Sequence, residues 1–219
     1  MPSAAAVAPY DGRVAPTNTT RAGARRPADK FDQRRDELAE SALMTLGEMG
    51  YARASLREIA NNSAFSHGVV HYYFRDKLEL VIYSVRYYKA RCVTRYDAVV
   101  RDSTTPGELV DAFAAKLIET IRDEAAMHRL WYDLRTQSMF EEPLRVAVTE
   151  IDKTLQDMIW RVVTRYAELA GRPAVVEPVI AYGMLDGLFQ QALLGHHQQL
   201  PLDGIVDQIR AVMPLMLSR

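Results

Sequence analysis

The stretch SLREIANNSAFSHGVVHYYFRDK, residues 55–77, decides the fold of this chain. Ser55 precedes Glu58 by three residues, the spacing at which a hydroxyl and a carboxylate satisfy the first free amides of a helix reciprocally. Small polar residues then interrupt the apolar pattern at 61–64, and Ser66 is suited to cap a second helix. We therefore predict two short helices joined by a tight turn, which is the layout of a helix-turn-helix.

Apolar residues on both sides of this stretch repeat every three or four positions, as they do in amphipathic helices. Before it, the repeat from Leu38 to Met49 ends at Gly50, a residue typical of a helix C terminus. After it, Pro106 and Pro143 each open a helix. The further helices are predicted at about 76–101, 106–121, 124–138, 143–170 and 173–194, and from 203 until Pro214 ends the last one. Without β-alternation or an internal repeat, the pattern predicts an all-α fold: a three-helix head and a larger helical domain.

The composition excludes several classes of protein. With 219 residues, 48% of them hydrophobic, and a net charge of −1, the chain suits one compact domain, or one with a small appendage. No apolar run approaches the length of a membrane span, and the N terminus does not have the pattern of a secretory signal. Cys92 is the single cysteine, which excludes an internal disulfide and fits the reducing cytoplasm. We predict a cytoplasmic protein.

Residues 1–30 are rich in Ala, Pro, Thr and Arg and contain little that could be buried. They carry five basic residues against two acidic ones. This composition predicts a disordered basic arm. Such an arm either lies along DNA phosphates or is a solvated tail.

The second short helix carries the residues that we expect to read DNA. Val70 and Phe74, four positions apart, are predicted to pack inward and to leave the other side chains facing solvent or DNA. Histidines hydrogen bond to guanine or to phosphate, the Val69 methyl groups contact thymine, and Gly68 allows close approach of the backbone. Tyrosine hydroxyls and Lys77 are suited to phosphate. The candidates on this evidence are Ser66, His67, Gly68, Val69, His71, Tyr72, Tyr73 and Lys77.

The segments SLREIA (55–60) and FSHGVVHYYF (65–74), followed by Asp76-Lys77, resemble the DNA-binding region of TetR-family transcriptional regulators. The resemblance is specific over about residues 34–80. It implies a phosphate contact for Ser55, base contacts for His67, Gly68 and His71, and backbone contacts for Tyr72, Tyr73 and Lys77.

Three positions depart from the family pattern. Ala64 stands where a turn glycine is favoured, Val69 replaces a common Thr or Ser, and His71 replaces a frequent aromatic residue. The operator sequence of a relative therefore does not transfer. The structural alternative for the whole motif is an ordinary three-helix bundle with Tyr72 and Tyr73 in its core.

A single helix-turn-helix contacts too little DNA for strong specificity, so we expect a homodimer that reads two half-sites. The resemblance places the dimer surface on the last two long helices. The first mixes Ile180, Leu185, Leu188 and Phe189 with the small residues Ala181, Gly183, Gly187 and Ala192, and the second has a stripe of Ile205, Ile209, Val212 and Met216. The alternative is that both stripes fill the core of their own chain.

The helices after the head contain more aromatic and methionine residues than a minimal core requires, which predicts a pocket for an apolar or amphipathic small molecule. Arg135 is a candidate partner for a ligand carboxylate; the alternative is a solvated arginine. The candidate ligand-binding residues are Phe113, Met127, Trp131, Arg135, Phe140, Trp160 and Tyr166, each of which could instead be plain core. Residues 130–145 also faintly resemble the choline-responsive branch of the family, which implies a quaternary ammonium held by Trp131, Tyr132 or Trp160.

We find no motif for catalysis, phosphate binding or metal binding; His196 and His197 are adjacent on a helix and point apart. We therefore predict no enzyme, no cofactor and no metal. The interpretation is a one-component regulator with an arm (1–30), a DNA-binding head (31–77) and a ligand-binding and dimerisation domain (78–219). The resemblance implies a repressor that binds a palindromic operator and is released by a small-molecule effector. The alternative is a small-molecule-binding protein whose head contacts a protein rather than DNA.

Overall fold

The computed structural model describes residues 27–219, and this part of the chain is α-helical. Its helices are α1 (Pro27–Met49), α2 (Leu56–Asn61), α3 (His67–Tyr73), α4 (Lys77–Cys92), α5 (Asp97–Asp102), α6 (Pro106–Gln137), α7 (Glu142–Ala170), α8 (Pro178–His197) and α9 (Gly204–Val212), followed by a 3-10 turn (Met213–Met216). None of the described helices is long and apolar enough to cross a membrane. The predicted all-α fold is confirmed.

The predicted N-terminal arm falls mostly outside the described residues, which begin at 27. Its last four residues, 27–30, already belong to α1, so the first helix of the head starts earlier than the predicted boundary at 31.

The head folds through the local signals that its sequence contains. The Ser55 hydroxyl accepts from the Glu58 amide (3.2 Å), and the Glu58 carboxylate accepts from the Ser55 amide (2.8 Å), which is the predicted capping box. Ser66 caps α3 by accepting from the Val69 amide at 3.3 Å. Ala64 adopts no left-handed backbone, because Gln199 is the one described non-glycine residue with positive φ. The turn therefore needs no glycine at position 64.

The predicted long helix from 76 to 101 is wrong, because α4 ends at Cys92 and α5 begins at Asp97. Between them Tyr96 is buried and packs edge-on against the Phe113 ring, with the ring centroids 4.8 Å apart. Burial of this ring requires the chain to turn, and apolar periodicity alone does not show such a turn.

The two helices predicted at 106–121 and 124–138 are one helix, α6, with a kink at Glu124 (φ −129°, ψ 24°). The Glu124 carboxylate accepts hydrogen bonds from the Tyr88 hydroxyl and from Arg95, the latter at 2.6 Å. The break that the sequence indicates is real, but it kinks the helix rather than ending it.

The stripe on α9 fills the core of its own chain, so the alternative to a dimer surface holds there: Ile205, Ile209 and Met216 are buried. On α8 the two faces separate. Ala181 and Leu185 are buried, while Ile180 is exposed and both Gly183 and Gly187 face open space. The outer face of α8, formed by Val179, Ile180, Gly183, Gly187 and Leu194, is the part of the predicted dimer surface that remains available.

Helix α1 is fixed to α3 and α4 by one arginine. The Arg35 guanidinium lies over the rings of Phe74 (4.6 Å) and Tyr83 (4.3 Å) and pairs with Glu79 at 3.0 Å. Stacking on an aromatic ring is favourable for a guanidinium because its weakly hydrated plane meets the negative face of the ring. Arg35 therefore holds α1 and the start of α4 together.

We expect Arg35→Ala to lower the free energy of unfolding by about 2 kcal/mol, because it removes two stacking contacts, a half-buried aliphatic stem and an ion pair. Urea unfolding at a fixed protein concentration measures this change. Arg53→Ala is the matched control; its side chain is exposed, and the change should stay within about 0.5 kcal/mol. Equal stabilities of the two variants would contradict the role given to Arg35.

Candidate functional site

Helix α3 presents two histidines side by side to solvent. His67 and His71 are exposed one turn apart, with their Nε2 atoms 3.1 Å apart and their rings edge to face. At this distance the nitrogen of one ring donates a hydrogen bond to the nitrogen of the other, so the two imidazoles form one continuous polar surface. Gly68 lies beside them with open space where a Cβ would stand, and Val69 is half-buried. The arrangement suits contact with base edges.

An aromatic cluster follows at the end of α3. Tyr72 is 75% exposed, while Tyr73 is half-buried against the Phe31 ring of α1, with centroids 4.9 Å apart. Val70 and Phe74 are buried, as predicted. The bundle alternative that places both tyrosines in the core is wrong for Tyr72, whose hydroxyl is free to meet a phosphate.

The polar side chains around α3 differ in how available they are for a phosphate contact. Ser55 and Ser66 accept from backbone amides through their oxygens, so their hydroxyl hydrogens remain available for phosphate. The Lys77 side chain is already engaged: its ammonium donates to the Tyr51 carbonyl at 2.5 Å and lies 4.2 Å from the centre of the Tyr51 ring. Burial lowers its pKa. A phosphate contact by Lys77 therefore competes with this interaction.

Behind the head, a cavity of about 70 Å³ lies between α4, α6, α7 and α8. Its apolar wall consists of Tyr96, Phe113, Leu117, Leu155, Met158, Ile159, Leu185 and Phe189. Its polar wall consists of Lys89, Cys92, Arg95, His128, Trp131, Tyr132, Tyr182 and Asp186. A mostly apolar enclosure with a few converging polar groups is typical of a small-molecule site.

Residues 38–83, which comprise most of α1, the helix-turn-helix and the start of α4, match the family model "Bacterial regulatory proteins, tetR family". The match places the DNA-binding region of the TetR family of transcriptional regulators in the head of this chain. Among curated relatives, the HTH-type transcriptional regulator BetI of Brucella canis is 21% identical over 162 residues, which cover 74% of this chain and 81% of the relative.

Solved structures share the fold of this chain over most of its length. A TetR transcription regulator from Haloarcula marismortui has a TM-score of 0.68 at 18% identity, covering 86% of this chain and 100% of the other. A transcriptional regulator from Saccharomonospora viridis, solved in complex with choline, has the same TM-score at 15% identity and the same coverage. At these identities the likeness establishes the architecture of head and helical domain.

Of the predicted ligand-binding residues, Phe113 and Trp131 line the cavity. Arg135 lies behind its wall, where it pairs with Asp186 (2.6 Å) and Asp152 (3.4 Å). It is therefore neither the solvated arginine of the alternative nor a free partner for a ligand.

The other four predicted ligand-binding residues do not line this cavity. The Cε atom of Met127 lies against Gly47 of α1, so close that a Cβ added to this glycine would stand 2.3 Å from it. Phe140 is 80% exposed in the loop before α7. On α7 the cavity is lined by Leu155, Met158 and Ile159, so Trp160 points away into a surface groove, and Tyr166 lies about two turns beyond. Trp160 therefore cannot join Trp131 and Tyr132 in a cage.

Sequence reasoning missed Lys89, whose side chain is the main charged group of the cavity wall. Lys89 is 3% exposed, forms no ion pair within the described residues, and lies with its ammonium 4.7 Å from the centre of the Trp131 ring. Its removal from water lowers the pKa to about 8. The available signal was its position: Lys89 continues the stripe of Val81 and Val85 at four-residue spacing, where an apolar residue is expected.

The cavity carboxylates, in contrast, already have partners. Asp186 accepts from the Tyr132 hydroxyl (2.9 Å) and from Arg135 (2.6 Å). Asp152 accepts from the Tyr182 hydroxyl (2.7 Å) and pairs with Arg135. Burial, reinforced by these carboxylates, raises the pKa of both tyrosines, so that they remain neutral donors. The described residues contain no group of three or more side chains that could hold a metal ion.

We expect Lys89→Met to be more stable than the wild type at pH 7, by on the order of 3 kcal/mol, because a buried ammonium is replaced by an apolar chain. The groups facing Lys89 are Cys92, Arg95, Asp152 and Asp186. The folded pKa of about 8 lies below the ordinary 10.5, so the unfolded chain binds more protons between these values. The wild type should therefore recover stability, and the gap should close, as the pH rises from 8 to 10.5.

Urea unfolding of both proteins at pH 7 and pH 10 measures the gap. Lys153→Met is the control, since Lys153 is exposed and pairs with Asp157 on the same helix; its difference from the wild type should stay small at both pH values. A Lys89→Met gap that does not change with pH would show that the ammonium is not destabilised by burial.

Proposed function

We propose that this TetR-family regulator is a homodimeric repressor that binds a palindromic operator in the cytoplasm and is released by a small molecule in the cavity. The observation that carries the proposal is the position of α4. Its first residues complete the DNA-binding head, and its last turn supplies Lys89 and Cys92 to the cavity wall. With 16 residues, α4 connects the two regions over about 24 Å.

Helix α4 moves together with the head because side chains along α4 form hydrogen bonds to α1. The Tyr83 hydroxyl donates to Asp36 at 2.7 Å, and the Tyr87 hydroxyl donates to Glu40 at 2.9 Å. These bonds lie between the stacked Arg35 and the cavity. A shift of the last turn of α4 is therefore transmitted to α1, which packs on the helix-turn-helix.

A second connection runs from α6 to the head. The Tyr51 amide donates to Asp133 (2.8 Å), the Tyr51 hydroxyl donates to Glu141 (2.7 Å), and Arg129 donates to the Gly47 carbonyl (2.5 Å). Arg129 and Asp133 follow the kink at Glu124, on the same half of α6 as Trp131 and Tyr132, and Glu141 directly precedes α7. A ligand that binds one state of the cavity better than the other would thus change the position of the head.

The outer face of α8 supports a two-fold dimer with a second copy of the chain. Exposed apolar side chains flank Gly183 and Gly187, where the absence of Cβ atoms allows another helix to approach closely. A helix-turn-helix reads two half-sites only when a dimer fixes their spacing, which makes a second copy the fitting partner for this face. The spacing of the two α3 helices would then be the quantity that the ligand changes.

Selection from a random duplex pool at about 0.15 M salt tests the DNA-binding part of the proposal. An enriched palindrome is the expected result. Absence of any enriched sequence with the folded dimer would contradict it and favour the alternative of a small-molecule-binding protein whose head contacts a protein.

On the selected site, Tyr72→Ala should weaken binding to all sequences, because Tyr72 is placed to contact phosphate. His67→Ala and His71→Ala should instead change the preferred bases at one or two positions, with a loss of about 1–3 kcal/mol on the original site. Repeating the selection with each variant separates the two effects. Unchanged preference in both histidine variants would remove them from the base contacts.

Ile180→Asp should produce monomers and lower operator affinity by at least about tenfold, because it places a charge in the centre of the apolar face. Sedimentation velocity measures the oligomeric state, and titration with the selected operator measures affinity. Val146→Asp is the control, since Val146 is equally exposed on α7 and lies outside this face. Dimers that persist in Ile180→Asp would place the interface elsewhere.

A further inference from the structure

The wall of the cavity holds two buried polar atoms without partners. Trp131 is 2% exposed and His128 is 6% exposed, and neither the Trp131 Nε1 nor the His128 Nε2 has a hydrogen-bond partner in the described part of the chain. The buried Lys89 ammonium lies 4.7 Å from the centre of the Trp131 ring. Buried polar atoms are almost always satisfied, so two unpartnered atoms in the wall of one cavity, beside a buried ammonium, indicate a missing ligand group.

The charges of these groups define what is missing. Lys89 keeps its proton at neutral pH, and desolvation lowers the pKa of His128 to about 2, so that the imidazole stays neutral. The Trp131 indole is a donor only. One cation, one obligate donor and one neutral imidazole together call for a hydrogen-bond acceptor that bears negative charge.

Within residues 27–219, the carboxylates near these groups are already engaged. The nearby Glu124 carboxylate is engaged by Tyr88 and Arg95, and Asp186 is engaged by Tyr132 and Arg135. His128 Nε2 lies 3.9 Å from the closer Glu124 oxygen, beyond hydrogen-bond distance. The cations Arg95 and Arg135 are each paired, and Lys89 is not.

The rest of the cavity is apolar. Phe113 and Leu117 of α6, Met158 and Ile159 of α7, and Leu185 of α8 face the same space. A ligand whose charged end meets Lys89 would bury its remaining atoms against these side chains, with a gain of roughly 25 cal/mol for each Å² of apolar surface. The site thus requires one anionic end and one apolar body.

We propose that the ligand of this cavity is an apolar monocarboxylate, bound through its carboxylate to the Lys89 ammonium and the Trp131 indole N–H, with His128 Nε2 as a third donor. The release of DNA by this ligand rests on the proposed function, whereas the binding of the ligand is argued from the cavity alone. The carboxylate forms charge-assisted hydrogen bonds among buried side chains, where such bonds are stronger than in water.

The same groups disfavour a quaternary ammonium, the ligand type that the resemblance to the choline-responsive branch implies. The face of Trp131 that would hold it is already occupied by the Lys89 ammonium, and Trp160 lies outside the cavity. A second cation near Lys89 would add repulsion in a region of low dielectric constant.

Three probes of equal chain length test the proposal: decanoate, decanol and decyltrimethylammonium, titrated into the full-length dimer at pH 7 by calorimetry. Decanoate should bind most tightly, at least tenfold more tightly than decyltrimethylammonium. Tighter binding of the cationic probe, or no binding of decanoate, would overturn the proposal.

Lys89→Met keeps an unbranched side chain, one atom shorter, and removes the charge; it should weaken decanoate binding at least tenfold while decanol affinity stays equal or rises. Trp131→Phe keeps an aromatic ring and removes the N–H, and it should weaken decanoate binding by about threefold to tenfold. Lys153→Met is the control and should bind decanoate as the wild type does. Unchanged decanoate affinity in Lys89→Met, with the variant folded and dimeric, would overturn the assignment.

The two tryptophans allow a second measurement. In Trp160→Phe, the remaining Trp131 fluorescence should change on addition of decanoate and follow the calorimetric saturation curve; a constant signal would place the ligand elsewhere. Operator titration with and without decanoate then separates the two proposals. Operator binding without a carboxylate site would refute this inference alone, whereas a carboxylate site in a protein that selects no DNA would refute the proposed function alone.

Discussion

The structure depends on the packing of α4 against two different neighbours. At its beginning, α4 is fixed to α1 through Arg35, Tyr83 and Tyr87, and the helix-turn-helix rests on this pair. At its end, it turns into the helical domain and places Lys89 in the cavity. Because helices transmit displacement as nearly rigid bodies over a few turns, the head and the cavity are mechanically one system rather than two domains joined by a linker.

Glu124 sets the shape of that system. It bends α6, and its carboxylate binds Tyr88 and Arg95 at the end of α4. These bonds link the kink of α6 to the end of α4 at the polar side of the cavity. After the bend, α6 contributes Trp131 to the cavity wall, and its Arg129 donates to the Gly47 carbonyl of the head. One kinked helix thus gives the cavity a second route to the DNA-binding surface.

The buried Lys89 illustrates how a binding site opposes stability. A buried ammonium without an ion pair lowers the free energy of unfolding, since it loses hydration without gaining a carboxylate. A methionine at this position would pack as well and remove the penalty. Strain of this kind is commonly found at sites whose missing partner is a ligand.

The sequence by itself determined the features that depend on near neighbours: the caps at Ser55 and Ser66, the turn between α2 and α3, the inward Val70 and Phe74, and the family to which the head belongs. These are governed by contacts within a few residues, so the local pattern contains the necessary information. Only the tertiary structure decided which aromatic residues line the cavity, that Arg135 and Lys77 are already engaged, and that the stripe on α9 is core. The reason is physical: an apolar stripe shows that a helix face is covered, but what covers it depends on helices that lie far apart in the chain.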